Sequence, residues 1–483
     1  MANRLSAGTL GQLPPTVGAP RYDRAAVTPG IVHLGVGAFH RAHQAAFIDQ
    51  CLADGQSGWA IIGASLRSPD TRDALAPQDG LYTLAVRDSD TERLDVIGSI
   101  QSLIVAPEDP EALLAALAAP STRIVTLTVT EKAYLRNGDG ALDLAHPDIV
   151  ADLADRTRPR TMHGFIVEAL LRRRAAGVAP FTVLSCDNLP ANGRTAKRVL
   201  VDFATRIDPE FGRFVDEHVA CPSSMVDRIV PATTDDDRAR VSASLGLEDA
   251  WPVVTEPFRQ WVIEDDFPLG RPDWEKFGVT MVADVTPFEE MKLRLLNGAH
   301  SGIAYLGQIL GHATVADAMA SPAIARFVAG LWRESIETLP RDAGLDPVPY
   351  TGELARRFSN TALRHRTAQI ANDGSQKLPQ RIVAPALERL AQGRGIAHLA
   401  FAAAAWIAAL AARSGDTFTD PLDSQLAAPA ANGAVGEIFD LTGFARSNPH
   451  REALQAQVEH WLKTIHAEGA ETALAILDRE FAQ

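Results

Sequence analysis

Up to about residue 285, short runs of β-branched and aliphatic residues alternate with stretches patterned at helical spacing. Gly30 to Val36, Trp59 to Ser65, Leu81 to Val86, Ile124 to Thr130 and Phe181 to Cys186 read as strands. Met162 to Arg174 reads as the amphipathic helix that feeds the last of them. Strands separated by helices in this way predict a parallel, doubly wound sheet. After Val285 the texture changes. Thr286-Pro287-Phe288-Glu289 has the form of a helix start, with Thr286 as cap, Pro287 at the first helical position and Glu289 closing a capping box. From there to the end the pattern is helical and β-branched runs are few. The expected fold is therefore α/β. A Rossmann-type, doubly wound parallel sheet occupies an N-terminal dinucleotide-binding domain, residues 1–285 with its extensions, and a second, mostly α-helical substrate domain takes residues 286–483.

A length of 483 residues is more than one hydrophobic core serves, in keeping with two domains. The formal net charge of −14 argues against a nucleic-acid partner, since phosphate binding takes clustered Lys and Arg. The alanine-rich stretch Ile396 to Ala412 is shorter than the ~20 apolar residues a membrane span needs and carries His398, so it reads as a buried helix. Cys51, Cys186 and Cys221 are scattered, an odd count with no disulfide framework and no metal-ligand spacing. With no apolar core of signal-peptide length between Met1 and Arg21, a cytoplasmic protein is expected. No heptad run is present, and a monomer is expected.

Two stretches carry chemistry. Gly35-Val36-Gly37 follows a strand and opens a helix, the context in which a glycine turn admits a pyrophosphate. The fingerprint is incomplete, because His40 stands where a third glycine belongs. The second strand ends Ser65-Leu66-Arg67-Ser68, without the acidic residue that selects NAD; Arg67 fits either a contact to the 2′-phosphate of NADP or a solvated arginine at a strand end. His40 and His43 share a helix face, but nothing nearby completes a metal site, so no metal is expected. The other stretch is Lys292-Leu-Arg-Leu-Leu-Asn297-Gly-Ala-His300. An amine accepts an alcohol proton near neutral pH only if its pKa is lowered, and burial lowers it. On a regular α-helix His300 falls ~80° and Asn297 ~140° from Lys292, on one broad face, with a rise of about 12 Å to His300 unless the helix distorts at Gly298. The same run also fits an ordinary helix with a snorkelling lysine.

Several separated segments resemble the polyol-specific long-chain dehydrogenases, the mannitol dehydrogenase family. They are Gly35-Val-Gly37-Ala38-Phe39-His-Arg41-Ala-His43, Thr128-Val-Thr130-Glu131-Lys132-Ala-Tyr134, Ser185-Cys-Asp187-Asn188-Leu-Pro190 with Asn192-Gly193, Met225-Val-Asp227-Arg228, the Lys292 run, and Asp373-Gly-Ser-Gln-Lys377-Leu-Pro379. The ordered set spans most of the chain. The resemblance implies an oxidoreductase that uses NAD, needs no zinc, and interconverts a polyol and a ketose such as D-mannitol and D-fructose. It implies Lys292 as general base, Asn188 and Asn297 as hydrogen-bond donors to the developing oxyanion, and His300 and Asp227 as residues that orient substrate. It implies Glu131 as a carboxylate linking the lysine to solvent, Lys377 as a contact to distal hydroxyls, and Gly35, Gly37, Ala38 and Phe39 at the cofactor. Two departures stand out: Gln369 lies where an arginine is expected, and the acidic NAD selector is missing. D-arabinitol, sorbitol and a sugar acid such as fructuronate therefore stay open as substrates. For a sugar acid, Arg364, Arg366 and Lys377 are the candidate cations. A dinucleotide-binding sensor without turnover is the reading from another class.

Overall fold

The computed structural model describes residues 3–340, 344–413 and 417–481. They divide into two compact units, Met1–Thr286 and Pro287–Gln483.

In the first unit the described strands run β1 (Pro29–Leu34), β2 (Ala60–Ser65), β3 (Tyr82–Asp88), β4 (Thr91–Ile97), β5 (Ile100–Val105), β6 (Ile124–Leu127), β7 (Thr182–Ser185), β8 (Ser224–Asp227), β9 (Val253–Thr255), β10 (Gln260–Glu264) and β11 (Thr280–Val282). The main sheet has five parallel strands in the order β5-β2-β1-β6-β7. This is the doubly wound order in which the chain reverses direction across β1 and β6, and the crevice at the carboxyl ends of those two strands is where such sheets bind ligands. Both faces are covered. Leu113, Phe165, Leu170 and Phe203, from three helices, pack over Val32, Leu34 and Val125 on one side. Phe47, Ile48 and Leu52 of Gln44–Ala53 join Ile31, Ile61, Trp261 and Trp274 on the other. Each such aliphatic or aromatic side chain, fully buried, contributes about 1.5–3 kcal/mol.

Two details differ from the sequence expectation. The run at Leu81–Val86 is a strand, but it pairs antiparallel with β4 and parallel with β9 in a separate three-stranded sheet. The fifth strand of the parallel sheet is instead Ile100–Val105, whose exposed-to-buried alternation is too irregular to stand out. A third sheet joins β8, β10 and β11. The helix that Thr286 opens begins at that residue itself. The helix spans Thr286–Met291, and the Asp284 carboxylate accepts the Thr286 N–H at 2.9 Å.

The described part of the second unit is helical throughout. At its centre lies Ala397–Ala412, buried along its length from Ala397 to Leu410. Alanines let Gly298–Leu310, Pro322–Ile336 and Arg451–Glu468 close on it from several sides. Its first turn is satisfied by Glu334, whose carboxylate accepts the His398 and Leu399 N–H groups, both at 3.0 Å, placing negative charge at the positive helix end. Among the described residues no helix is long and apolar enough to cross a membrane.

Candidate active site

Lys292 to Asn297 do not form an ordinary α-helix. They form a π-helical segment between Thr286–Met291 and Gly298–Leu310. The Gly298 N–H bonds the Leu293 carbonyl, five residues back. Widening a helix by one residue per turn disturbs the regular ladder, and side chains take up the carbonyls involved. The Trp332 indole donates to Leu295 O at 2.8 Å. Asn297 O accepts from Ser301 Oγ at 3.1 Å and from Arg381 Nη1 at 3.4 Å. Arg294 anchors the segment through Glu388, at 2.7 and 2.9 Å, and through Thr338 O at 2.7 Å. The regular-helix estimate of ~140° between Lys292 and Asn297 is thus replaced. In an i→i+5 turn, residues five apart are brought toward one side.

Arg381 belongs to a second π-helical segment, Pro379–Val383, which packs on the first. A Cβ on Gly298 would stand 3.2 Å from Arg381 O, so a glycine lets the two segments meet. π turns inside helices are frequent at functional sites.

His300 sits one turn beyond, 6% exposed, against Phe358 at 4.5 Å between ring centres and edge-on to His365 at 5.3 Å. Burial holds its imidazole well below the usual range, helped by His365, Arg357, Arg381 and Lys292. Burial also lowers His365, to about 4. Both rings are neutral at pH 7. His300 Nε2 and His365 Nδ1 are buried without a hydrogen-bond partner among the described residues, as groups awaiting a ligand hydroxyl are. Lys292 is half-buried. Lys377 lies on the short helix Gly374–Leu378, its ammonium donating to Asn372 O at 2.7 Å. Arg364 is exposed, with φ 46°, and Gln369 is exposed as well.

In the first unit the candidate residues collect at strand ends. Gly35 follows β1, Thr128 to Glu131 follow β6, and Asn188 follows β7. Gly35 has φ +96°, and a Cβ there would overlap the Thr128 carbonyl, so only glycine fits. A Cβ on Gly37 would meet nothing nearer than Gly35 O at 3.9 Å, which leaves that face open to a closely approaching group. Ala38 and Phe39 begin the helix Ala38–Ala42. Arg67 is exposed two residues beyond β2. This turn, with Gly37 open, fits a dinucleotide pyrophosphate.

The Asn188 loop is held by its neighbour. Asp187 Oδ1 accepts the Thr130 N–H and Oδ2 the Tyr134 hydroxyl, both at 2.9 Å. Burial pushes the Asp187 carboxyl up, and the hydrogen bonds from Thr130, Val129 and Tyr134 pull against it. Thr130 has φ 75° and ψ 156°, a conformation nearly confined to glycine, and costs of order 1–3 kcal/mol that its surroundings must supply. Asn192 fixes the far side, donating to Asp187 O at 2.9 Å and Ser224 O at 2.7 Å. Asn188 and Glu131 are exposed, and Asp227 is buried at the end of β8. His40 and His43, which share a helix face in the sequence, diverge in their contacts: His40 stacks on His33, and His43 Nε2 meets Gln260 O at 2.9 Å. Among the described residues no three His, Cys, Asp or Glu are grouped to hold a metal ion.

Asp187, Thr130 and Tyr134 lie in segments the sequence singles out, yet nothing in their spacing shows that one carboxylate ties two loops together. His365 stands between two arginines that draw attention first. Apart from Gly298, no residue type marks the π segments.

Comparison with known proteins gives matches along nearly the whole chain. Residues 29–276 match the family model described as mannitol dehydrogenase Rossmann domain, and residues 284–465 match the mannitol dehydrogenase C-terminal domain. A mannitol 2-dehydrogenase of Phaeosphaeria nodorum is 40% identical over 98% of this chain and 85% of its own length. A D-mannonate oxidoreductase of Escherichia coli is 45% identical over 81% of this chain and 82% of its own. The crystallised mannitol 2-dehydrogenase of Pseudomonas fluorescens, in complex with NAD and D-mannitol, superposes with a TM-score of 0.90 at 38% identity, covering 99% of this chain and 100% of that one.

Proposed function

The chain belongs to the mannitol dehydrogenase family, and on that premise we propose that it is an NAD-dependent polyol 2-dehydrogenase, interconverting D-mannitol and D-fructose without zinc. The observation that carries the reading is the π-helical run holding Lys292 and Asn297, with His300 one turn beyond on the helix Gly298–Leu310. NAD, when bound, supplies the acceptor for the hydride, and the chain supplies what NAD cannot. Lys292 Nζ takes the hydroxyl proton as the alcohol is oxidised. Asn297 and Asn188 donate hydrogen bonds to the oxygen on which negative charge develops. His300, neutral because it is buried, offers Nε2 to a neighbouring hydroxyl and Asp227 orients another. Lys377 reaches the distal hydroxyls, with Arg364 at the rim. Glu131, exposed, returns the proton to water. The turn at Gly35, Gly37, Ala38 and Phe39 receives the pyrophosphate, and Arg67 stands where the adenosine ribose is read, which keeps NADP as a second cofactor. We further read the enzyme as a cytoplasmic monomer.

A second reading has a specific observation behind it. Arg357, Arg381 and Lys292 all press on His300 in the same electrostatic sense, an environment suited to a carboxylate, and the D-mannonate oxidoreductase of Escherichia coli shares 45% identity. Initial rates with D-mannitol, sorbitol, D-arabinitol, D-fructose, D-mannonate and fructuronate, each with NAD(H) and NADP(H), decide between them. The polyol reading expects the highest kcat/KM with D-mannitol and D-fructose. A preference of tenfold or more for the sugar acids overturns it, and absence of turnover with every substrate, while NADH still binds, points to a sensor.

A further inference from the structure

We propose that His33 and Thr128 are positioning residues for the dinucleotide turn, fixing the Gly35 peptide so that its carbonyl is turned into the protein. This rests on the reading that the turn binds a dinucleotide.

His33 lies on the central strand β1 with no exposure to solvent. A polar ring there is tolerated only if its nitrogens are satisfied. Nδ1 is 2.7 Å from Thr126 Oγ1, whose residue is its register partner on β6. Nε2 is 2.9 Å from Thr128 Oγ1 and 3.2 Å from Gly35 O. A carbonyl only accepts, so Nε2 must carry the ring proton, and bare Nδ1 then accepts the Thr126 hydroxyl. Thr128 Oγ1 spends its own hydrogen on Gly35 O at 2.7 Å. The Gly37 N–H also reaches Gly35 O, at 2.7 Å. One carbonyl thus receives three donors, one more than its two lone pairs require. The His40 ring covers the imidazole, stacked at 3.4 Å and 12°.

The consequence follows from the planar trans peptide, in which C=O and the next N–H point oppositely. With Gly35 C=O held inward, the Val36 N–H is held antiparallel to it. That N–H has no hydrogen-bond partner among the described residues. Rotating the peptide would reverse both dipoles and present a carbonyl where a phosphate needs a donor. The lock also joins β1 to β6, the two strands that flank the switch point. It is therefore placed to govern cofactor affinity, while the groups that handle substrate lie elsewhere.

The test is NADH binding by fluorescence titration on the full chain, with His33→Phe, His33→Gln, Thr128→Val and Thr128→Ser. His33→Phe keeps a ring of similar size and removes both ring nitrogens with their hydrogen bonds; His33→Gln restores an N–H toward Gly35 O. Thr128→Val removes the hydroxyl at constant shape, and Thr128→Ser returns it. The expected result is a tenfold or larger rise in Kd for His33→Phe and Thr128→Val, recovered to within about threefold of wild type in the Gln and Ser variants. At saturating cofactor, kcat and the KM for polyol should stay within about threefold of wild type. Unchanged Kd in both Phe and Val variants overturns the proposal, as does equal impairment of all four with a common fall in Tm, which marks packing alone. If wild type itself fails to bind NADH, the dinucleotide reading falls first. Should His33→Phe not fold, the Thr128 pair decides by the same criteria.

Discussion

At the scale of single residues, the chemistry depends on where a proton can rest. Lys292 is half-buried on a π-helical segment whose Arg294 is anchored by Glu388 and Thr338 O. Lys292→Ala should lower kcat by about 10²–10⁴, the usual worth of a general base, with NADH Kd unchanged by fluorescence titration. Near-normal turnover would remove the lysine from the mechanism. For polyol oxidation in wild type, kcat should rise with pH until the lysine is neutral and then level off, a limb that Lys292→Ala should lack. Lysine, asparagine and histidine were legible as residue types. Their alignment was not, because a residue count assumes a uniform helix and the π turn breaks that assumption.

At the scale of elements, the two π segments and the short helix carrying Lys377 are held by side chains distant in sequence. Gly374 opens that helix, and a Cβ on it would stand 2.6 Å from the Tyr305 hydroxyl and overlap the Trp406 indole nitrogen. Gly374→Ala should cost about 1–3 kcal/mol of stability, as overpacking does. It should also raise the KM for polyol several-fold by displacing Lys377, with little change in NADH affinity; denaturant unfolding and steady-state kinetics check both. Deleting Leu293 should convert the π segment to a regular α-helix. Helix content by circular dichroism is then expected to persist while turnover disappears. Retained turnover would show that the wide turn is not needed to align Lys292 with Asn297. Of the strands, those with unbroken apolar runs were readable from the sequence. Ile100–Val105 was not, and β3 was readable as a strand but not as a member of a different sheet. Pairing partners are set by long-range contacts that local pattern does not encode.

For the whole molecule, buried histidines govern the response to acid. Burial lowers His33, His43 and His163 to about 3, against about 6.5 when unfolded. Between those values the unfolded chain binds more protons, so stability is complete above about pH 6.5 and falls as pH drops toward 3, each histidine contributing a slope of about 1.4 kcal/mol per pH unit. Asp49, raised to about 6 by burial, and Asp152 and Asp187, also raised, tilt the other way, but burial lowers His40, His300 and His365 as well. Tm measured from pH 8 to 4 should therefore fall steeply below about 6.5. A flat profile would mean these rings can be protonated without unfolding.

By itself the sequence determined the class of each half, the glycine turn and the residue types able to move a proton, because apolar periodicity and backbone permissiveness are local properties. It also carried enough ordered segments to place the chain in its family. Only the tertiary structure decided that Asp187 braces the strained Thr130 loop, that Arg381 closes on Asn297 O, and that His33 and Thr128 converge on one carbonyl. These pairings join residues 57, 84, 2 and 93 positions apart. All but the shortest depend on how strands and helices are brought together by burial, and that one acts only through a backbone turn which the neighbouring strand makes possible.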